Sequence, residues 1–484
     1  MNKPLRRIAI FCGVLILALL VRTNYLQYVR ADELNSREEN RRVRIERYAH
    51  ERGDIIVDGK AVTGSVETNG SDFKYKRVWK DGPMWSPVTG YSSQAFDSTQ
   101  LENLEDGILT GNDDQLFFNR TLSMFTGDEK QGGNVVTTLS GAAQKAAFEG
   151  LGNQKGAAVA LDPQTGAILA LASTPSYDPS VFAGNSDKDS EARAKLLADK
   201  DKPMLNRALR ETYPPGSTFK VVTASAALEN GLYDSIDEPT DSPLPWILTG
   251  TRNPLPNEGN IPCKNASLRE ALRYSCNTVF GKISSDLGNK KMIEEADKFG
   301  FNEEVFTPVR ADKSVYPEDI PSQNAMAGIG QASNRATPLQ MAMVASAVAN
   351  DGKLMQPYMV AKRQAPNLDT IYTAEPKEMS RPLTAANAQK LQQMMETVVQ
   401  SGTGTMAKID GVTVGGKTGT AQHGLNNSEK PYAWFISYAK TDKGSPVAVA
   451  VVVEDGKANR DDISGGGLAA PIAKAIMKAV LDGK

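Results

Sequence analysis

A proline-proline-glycine interruption followed at once by an apolar run constrains this chain most. The interruption is the Tyr-Pro-Pro-Gly of residues 213–216, and the run rich in alanine, valine and leucine covers residues 221–229, before an Asn-Gly pair. This pattern predicts a buried helix that starts near residue 217 and ends near residue 230. Ser217 then lies in its first turn, with Lys220 on the same helical face.

A serine placed in this way can act as a nucleophile. Its hydroxyl needs a nearby base to lose its proton, and a partly desolvated lysine amine can be that base. The N-terminus of the helix adds positive potential where an alkoxide would form. We therefore predict that Ser217 is the acylated residue and that Lys220 is its base.

The N-terminal segment differs from the rest of the chain. Lys3, Arg6 and Arg7 precede an unbroken apolar run over residues 8–21, and no small-x-small cleavage site follows. Such a run is short for a membrane span and long enough for a signal-peptide core. We expect an uncleaved anchor in the cell membrane, with a cytoplasmic N-terminus and an extracytoplasmic body. The alternatives are a cleaved signal peptide and a buried helix.

The charged and metal-binding residue types exclude two classes of function. The 55 basic and 57 acidic side chains give no strongly basic face, so we expect no nucleic-acid partner. The two histidines lie far apart and no Cys-x-x-Cys occurs, so no metal site is predicted. Cys263 and Cys276 are the two cysteines of the exported part and can pair with each other; two buried thiols are the alternative.

Helical and strand patterns follow each other along the body of the chain. Residues 157–161 and 167–172 predict a hairpin around an Asp-Pro-Gln-Thr-Gly turn. Both strands are apolar on both faces, so we expect a sheet that is covered on both sides. Further strands are predicted at 135–139, 412–414, 433–438 and 447–453. Further helices are predicted at 141–151 after a Ser140 cap, 268–274 after a Ser267 cap, 277–287, 337–349, 385–400 and 468–481.

Three short motifs occur in one order along the chain. They are Ser217-x-x-Lys220, Ser275-x-Asn277 on a turn between two predicted helices, and Lys417-Thr418-Gly419 on a predicted strand. The ordered combination is a known acyl-transfer set. Each motif is weak alone, and their joint occurrence in fitting local structure supports the prediction.

Similar patterns elsewhere do not fit their local structure. Ser437 and Lys440 repeat the first spacing on a predicted strand, where residues three apart point to opposite faces. Ser322 and Asn324 repeat the second spacing in a stretch that we predict to be a loop. Residues 411–418 match a phosphate-binding loop, but no helix is predicted directly after them, as that loop requires. We expect none of the three to be functional.

The motifs resemble those of the class B penicillin-binding proteins, and most of all the compact actinobacterial type. The resemblance covers about residues 135–482 and includes the turn at 162–166, Gly-Ile-Gly-Gln at 328–331 and Thr-Pro-Leu-Gln at 337–340. Residues 52–62 are similar to the N-terminal signature of this class, but they lack the arginine that usually follows its aspartate.

The resemblance implies a mixed α/β (α+β) fold, shared by serine β-lactamases and penicillin-binding transpeptidases. Its catalytic domain has an antiparallel sheet covered by helices and an all-helical lobe. We expect a cytoplasmic stub and transmembrane anchor at residues 1–29, a pedestal (dimerisation-like) domain at 30–150 and the transpeptidase domain at 151–484. No glycosyltransferase-like segment is recognised, so the resemblance implies a monofunctional enzyme.

The resemblance also implies a peptidoglycan D,D-transpeptidase without cofactor or metal. Its substrates would be stem peptides and its covalent inhibitors β-lactams. Its partners would be the membrane and a glycosyltransferase of the division or elongation machinery. The implied catalytic residues are Ser217, Lys220 and Ser275, and the implied substrate-binding residues are Asn277, Lys417, Thr418, Gly419 and Thr420.

Three neighbouring functions use similar residues. A class A β-lactamase needs a further glutamate in a Glu-x-x-x-Asn pattern, and this pattern does not occur in residues 300–330. A D,D-carboxypeptidase uses water in place of an amine, and the sequence leaves it open as the second hypothesis. A β-lactam sensor or divisome scaffold ranks third, because a sensor usually carries several spans and a cytoplasmic effector.

Overall fold

The computed structural model describes residues 3–35, 40–69, 72–117, 130–424, 427–455, 460 and 463–483. The chain begins with the exposed helix Lys3–Asn24, which continues as the π-helical turn Tyr25–Val29. By length and composition, residues 3–29 can cross a membrane. The short helices Ala31–Asn35 and Arg41–Arg47 then lead into the folded body.

The first sheet, here called the pedestal sheet, combines strands from distant parts of the chain. Its order is Thr370–Thr373, Val360–Gln364, Asn134–Thr137, Ile55–Val57 and Lys60–Ala61. Ile55–Val57 pairs in parallel with Asn134–Thr137, and the other pairs are antiparallel. The strand predicted at 135–139 is therefore confirmed, although it starts one residue earlier and ends two residues earlier.

A buried ion cluster holds the N-terminal signature in place. The Arg52 guanidinium donates to the carboxylates of Glu102 at 3.0 Å and Asp106 at 2.7 Å. Arg77 donates to the other oxygen of Glu102 at 2.7 Å. Because both carboxylate oxygens of the buried Glu102 accept a hydrogen bond from an arginine, this cluster avoids the cost of an isolated buried carboxylate.

Short elements surround the pedestal sheet. Two separate strand pairs are Thr63–Glu67 with Tyr75–Trp79, and Ser92–Ser93 with Asp97–Ser98. The helices are Gly82–Thr89, Gln100–Leu104, Asp106–Leu109 and the 3₁₀ turn Asp114–Leu116.

The second sheet, here called the central sheet, is antiparallel throughout. Its order is Thr413–Ala421, Tyr432–Thr441, Gly444–Asp455, Lys155–Leu161 and Ile168–Thr174. Alternating valines of Gly444–Asp455 enter two cores, with Val449 and Val451 on one face and Val452 on the other. The predicted hairpin and the two later strands are confirmed.

Helices cover both faces of the central sheet, as predicted. Gly141–Leu151 and Ala470–Asp482 pack on one face, and Pro338–Ala349 and Ala385–Ser401 pack on the other. The first of these helices begins where the Ser140 side chain accepts a hydrogen bond from the Ala143 N–H. The last helix starts two residues later than predicted, after the π-helical turn Gly465–Ala469.

A helical lobe lies beside this sheet and is built around the buried helix Lys220–Glu229. Around it pack Leu268–Tyr274, Asn277–Leu287, Asn289–Lys298 and Ala385–Ser401. The Ser267 hydroxyl accepts from the Glu270 N–H and starts the first of these helices, as its sequence predicted.

The remaining elements are short connections. The helical ones are Pro179–Phe182, Asp187–Ala198, Arg207–Arg210 and Thr405–Ala407. The strand pairs are Trp246–Ile247 with Pro254–Leu255, Val305–Phe306 with Arg310–Ala311, and Leu354–Met355 with Glu378–Ser380.

One local prediction was wrong. Ser322 lies in the helix Pro321–Ala327 and not in a loop. Proline at the first helical position costs no hydrogen bond and presets the backbone angle, so Pro321 starts this helix rather than preventing it.

The domain limits predicted at residues 30, 150 and 484 stay a prediction. Two strands that follow residue 150 join the pedestal sheet, namely Val360–Gln364 and Thr370–Thr373. Conversely, the helix Gly141–Leu151, most of which precedes residue 150, packs on the central sheet.

Candidate active site

The predicted motif residues meet at a cleft between the helical lobe and the edge strand of the central sheet. The cleft has a volume of about 470 Å³. Ser217, Asn277 and Thr420 line it, one from each of the three motif segments. The three segments therefore meet at one cleft, as an acyl-transfer site requires.

Ser217 is half-buried on the 3₁₀ turn Gly216–Phe219, directly before the α-helix Lys220–Glu229. The segment ahead of it is held at several points. The Gly216 N–H donates to the Gly330 carbonyl at 2.9 Å, and the Trp434 indole N–H donates to the Pro214 carbonyl at 3.1 Å. These bonds fix the direction in which Ser217 faces the cleft.

Lys220 is fully buried, and its amine points to the second motif. Its Nζ donates to the Ser275 carbonyl at 2.7 Å, to the Asn277 Oδ1 at 2.6 Å and to the Ser275 Oγ at 3.1 Å. Among the residues that the structure describes, the Ser217 hydroxyl has no hydrogen-bond partner. The direct Ser217–Lys220 pairing expected from helical spacing is thus not formed in the free protein, because Ser275 and Asn277 satisfy the amine.

Ser275 lies on the turn between the helices Leu268–Tyr274 and Asn277–Leu287, as predicted. Its backbone is left-handed, with φ +62°. That conformation costs a residue other than glycine about 1 to 2 kcal/mol. The neighbouring Cys276 is disulfide-bonded to Cys263, with a Cα–Cα distance of 5.6 Å, and ties the strained turn to the preceding loop.

Lys417 reaches the same serine from the edge strand Thr413–Ala421. Its Nζ donates to the Ser275 Oγ at 3.0 Å and to the Thr418 carbonyl at 2.8 Å. The Thr418 hydroxyl is 2.6 Å from the Thr403 hydroxyl. Gly419 leaves no room for a side chain, since a Cβ there would lie 3.0 Å from Thr218 and from Trp434.

Burial lowers the pKa of both amines, and the charge of Lys417 lowers that of Lys220 further. The pKa of Lys220 is lowered well below its usual range, first by burial and second by the charge of Lys417, while Glu258 opposes both effects. Burial lowers the pKa of Lys417 to about 7, again against Glu258. A neutral amine at Lys220 is a base at physiological pH.

Two of the similar motifs have structural explanations. Ser437 is buried against Met477, whereas Lys440 donates to Gln392 from the other face of the sheet. Asn324 is buried and donates to the Ser284 carbonyl. These residues contribute to packing and do not form an acyl-transfer site.

The phosphate-loop pattern has no phosphate-binding geometry. Residues 413–421 form one continuous strand, so Lys417 and Thr418 are not followed by the helix N-terminus that would hold a phosphate.

Several lining residues were not predicted from the sequence. Glu258, Gln422 and Arg460 are among them, and no periodic pattern around these residues indicates which way a side chain points. Met326 and Ile329 add an apolar wall next to them. Among the described residues, no group of three or more His, Cys, Asp or Glu side chains could hold a metal ion.

The fold and the three-segment site define a class of protein. The penicillin binding protein transpeptidase domain matches residues 156–478, and the penicillin binding protein A dimerisation domain matches residues 52–135. The chain belongs to the penicillin-binding protein transpeptidases. The family, the fold and the serine-type transpeptidase class predicted from the sequence are confirmed.

Among individual proteins, the chain is similar to the mycobacterial enzymes of this type. It is 39% identical to peptidoglycan D,D-transpeptidase PbpA of Mycolicibacterium smegmatis, over 99% of each chain. It is also 39% identical to PbpA of Mycobacterium tuberculosis, over 100% of each. The ceftriaxone acyl-enzyme complex of penicillin-binding protein A from M. tuberculosis superimposes with a TM-score of 0.85 and 38% identity, covering 90% of this chain and 100% of that one.

Proposed function

We propose that this protein is a peptidoglycan D,D-transpeptidase that cross-links stem peptides through an acyl-enzyme on Ser217. One observation supports it above all others. The Ser275 hydroxyl lies between the amines of Lys220, at 3.1 Å, and Lys417, at 3.0 Å, beside the cleft that Ser217 lines. This arrangement provides a nucleophile, a base and a proton relay in one place.

In the first half-reaction, Ser217 Oγ attacks the carbonyl carbon of the penultimate D-Ala and the terminal D-Ala leaves. Lys220 takes the serine proton, which its lowered pKa allows. Ser275 relays a proton to the leaving amine, since its hydroxyl contacts both lysine amines. The contact between Ser217 and Lys220 forms when bound substrate displaces the hydrogen bonds that the Lys220 amine makes in the free protein. Catalytic hydrogen bonds are often long in free enzymes and tighten only once substrate is bound.

The remaining site residues hold the substrate. The backbone N–H groups of Ser217 and Thr420 form the oxyanion hole, each donor being worth roughly 3 kcal/mol. Asn277 binds the amide edge of the peptide. Lys417, Thr418 and Thr420 bind the terminal carboxylate, and Gly419 allows the strand to lie close to Ser217. The strand Thr413–Ala421 is the edge of its sheet, so an extended peptide can pair with it.

The second half-reaction transfers the acyl group to the amine of another stem peptide. β-Lactams acylate the same serine and leave slowly. In support, the solved structures of the M. tuberculosis relative include acyl-enzyme complexes with ceftriaxone, imipenem and penicillin G.

A labelling experiment tests Ser217 directly. Spheroplasts that express the protein are treated with a membrane-impermeant fluorescent penicillin. We expect the wild type and the matched control Ser437→Ala to be labelled, and Ser217→Ala to remain unlabelled. Label on Ser217→Ala would mean that another residue is the nucleophile.

The same experiment tests the proposed topology. The helix Lys3–Asn24 anchors the protein in the membrane with its N-terminus in the cytoplasm. A glycosyltransferase of the division or elongation machinery binds beside this helix. In support, the apolar side chains of this helix are exposed and pack against no other part of the described chain. Labelling only after the spheroplasts are lysed would contradict this orientation. Photo-crosslinking from the helix that recovers no glycosyltransferase would contradict the partner.

A further inference from the structure

The active-site cleft contains one carboxylate among its described lining residues, that of Glu258. The side chain is exposed, and within the described part of the chain it makes no hydrogen bond or ion pair. The cationic lining residue, Arg460, lies on the same cleft but donates to the Gln422 Oε1 at 2.7 Å and the Asn427 carbonyl at 2.6 Å. Among the described residues, Glu258 thus has no hydrogen-bond or ion-pair partner at the site.

The two residues directly before Glu258 are hydrogen-bonded to the segment that follows Ser275. The Asn277 side-chain amide donates to the Pro256 carbonyl at 2.9 Å. Asn257 accepts from the Thr278 N–H at 3.1 Å and donates to the Thr278 hydroxyl at 3.2 Å. The backbone on the N-terminal side of Glu258 therefore has a fixed position relative to Ser275.

The other end of the loop is fastened to the same turn. Cys263 is bonded to Cys276, the residue after Ser275. Residues 258–262 thus form a short bridge between two attachments, and both attachments lie within three residues of Ser275. A short loop closed at both ends loses little further entropy when a ligand binds to it, which is a feature of preorganised sites.

The charge of Glu258 acts on the reacting groups themselves. It raises the pKa of both Lys220 and Lys417, against the effect of burial. Its carboxylate therefore lies within electrostatic reach of both amines and lines the same cleft as Ser217.

We propose that Glu258 binds the ammonium group of the acceptor stem peptide and positions it for attack on the acyl-enzyme. This inference rests on the proposed transpeptidase function and names the acceptor subsite. A primary amine is protonated at neutral pH, and a carboxylate that makes a charge-assisted hydrogen bond with it raises its local concentration over that of other nucleophiles. Water gains no such advantage, so the subsite favours cross-linking over hydrolysis.

The transfer step balances in atoms and charge. The bound ammonium gives one proton to the neutral Lys220 amine and becomes a nucleophile. Its nitrogen forms a bond to the ester carbonyl carbon, and the bond from that carbon to Ser217 Oγ breaks. The nitrogen loses a second proton, which goes to Ser217 Oγ, and the extra proton on Lys220 passes to solvent.

The test measures how the acyl-enzyme partitions. The full chain in detergent is given a thioester donor without any amine, together with either a stem peptide with a free amine or methanol as acceptor. For Glu258→Gln we expect the ratio of aminolysis to hydrolysis to fall about tenfold, as for the loss of one charge-assisted hydrogen bond. The ratio of methanolysis to hydrolysis should stay unchanged. Glu258→Asp should recover part of the aminolysis, and Glu303→Gln, an exposed control, should behave as wild type.

Covalent labelling with penicillin confirms that each variant is folded. An unchanged aminolysis ratio in Glu258→Gln would overturn the proposal, and so would a parallel fall in methanolysis. If the wild type forms no acyl-enzyme from the donor, the proposed function fails instead, so the two failures are distinguishable.

Discussion

The two buried lysines are the residues on which the chemistry depends. Each amine would be protonated in water, and burial together with their mutual repulsion lowers the pKa of Lys220. Lys417 has its own pKa lowered to about 7, so its charge varies in the physiological range. The pair therefore couples the base that we propose, Lys220, to the residue that we propose binds the substrate carboxylate, Lys417.

Removing Lys417 should change the pH dependence of acylation. In Lys417→Met the repulsion on Lys220 is gone, so the pKa of Lys220 rises and the base is protonated up to a higher pH. We expect the acidic limb of the acylation rate with penicillin to move to higher pH. The measurement is the second-order rate across the pH range, with the exposed Lys313→Met as control. Identical limbs in the two variants would show that Lys417 does not act on the base.

Lys417→Met should also change how the stability of the protein depends on pH. Lys417 has a pKa of about 7 when folded and an ordinary value of 10.5 when unfolded, so the unfolded chain binds more protons between these limits. Its destabilising effect is greatest below about pH 7 and fades as pH rises toward the unfolded pKa. Lys417→Met should therefore raise the melting temperature more at about pH 6 than at about pH 10.

At the residue scale, the sequence predicted which groups converge but not how they bond. Helical spacing predicted that Ser217 and Lys220 lie close together, and in the structure Ser217 lines the cleft while Lys220 is buried with its amine on Ser275. It did not predict that the Lys220 amine turns to Ser275, because that depends on the left-handed backbone of Ser275 and on partners far away in sequence. Glu258 could not be predicted, since its loop has no repeating pattern and is placed by contacts with Asn277, Thr278 and Cys276.

The turn that carries Ser217 is closely packed against its neighbours. Gly330 lies against it, and a Cβ on Gly330 would approach the Gly216 carbonyl oxygen to 2.0 Å. The loop of Gly330 and the strand of Trp434 therefore hold the segment that carries Ser217 in position.

A pair of glycine substitutions separates this contact from backbone strain. Gly330 and Gly231 have similar positive φ angles, +77° and +64°, but a Cβ on Gly231 meets nothing within 4 Å. Both alanine variants pay the left-handed cost of about 1 kcal/mol. We expect Gly330→Ala to lose at least tenfold in penicillin acylation rate and Gly231→Ala to keep it. Equal rates in both would show that the Gly330 contact does not position Ser217.

Elements with local start signals were the ones that the sequence predicted well. Side chains of Ser140, Ser267 and Thr337 cap their helices; the first two helices start where predicted, and the third starts one residue later. The helix at Pro321 was missed, because a proline permits a helix start as well as a loop. In a single sequence those two cases look alike.

At the scale of the whole molecule, the two sheets join parts of the chain that are far apart in sequence. The Arg363 guanidinium donates to both oxygens of Glu105, at 2.7 and 2.8 Å, and so connects a late strand to an early helical segment. The sequence did not predict this pairing, since strand partners depend on tertiary contacts rather than on local pattern. The pedestal was predicted as a region, but its shared sheet was not.

The central claim concerns the complete reaction, and one measurement tests it most directly. The full chain in detergent is incubated with lipid-linked stem pentapeptide, and the products are identified by mass spectrometry. A D,D-transpeptidase acting through Ser217 predicts a cross-linked dimer that has lost one D-Ala, present with the wild type and absent with Ser217→Ala. Trimmed tetrapeptide without dimer would indicate a carboxypeptidase, and unchanged pentapeptide would indicate a sensor or scaffold; either result would contradict the account.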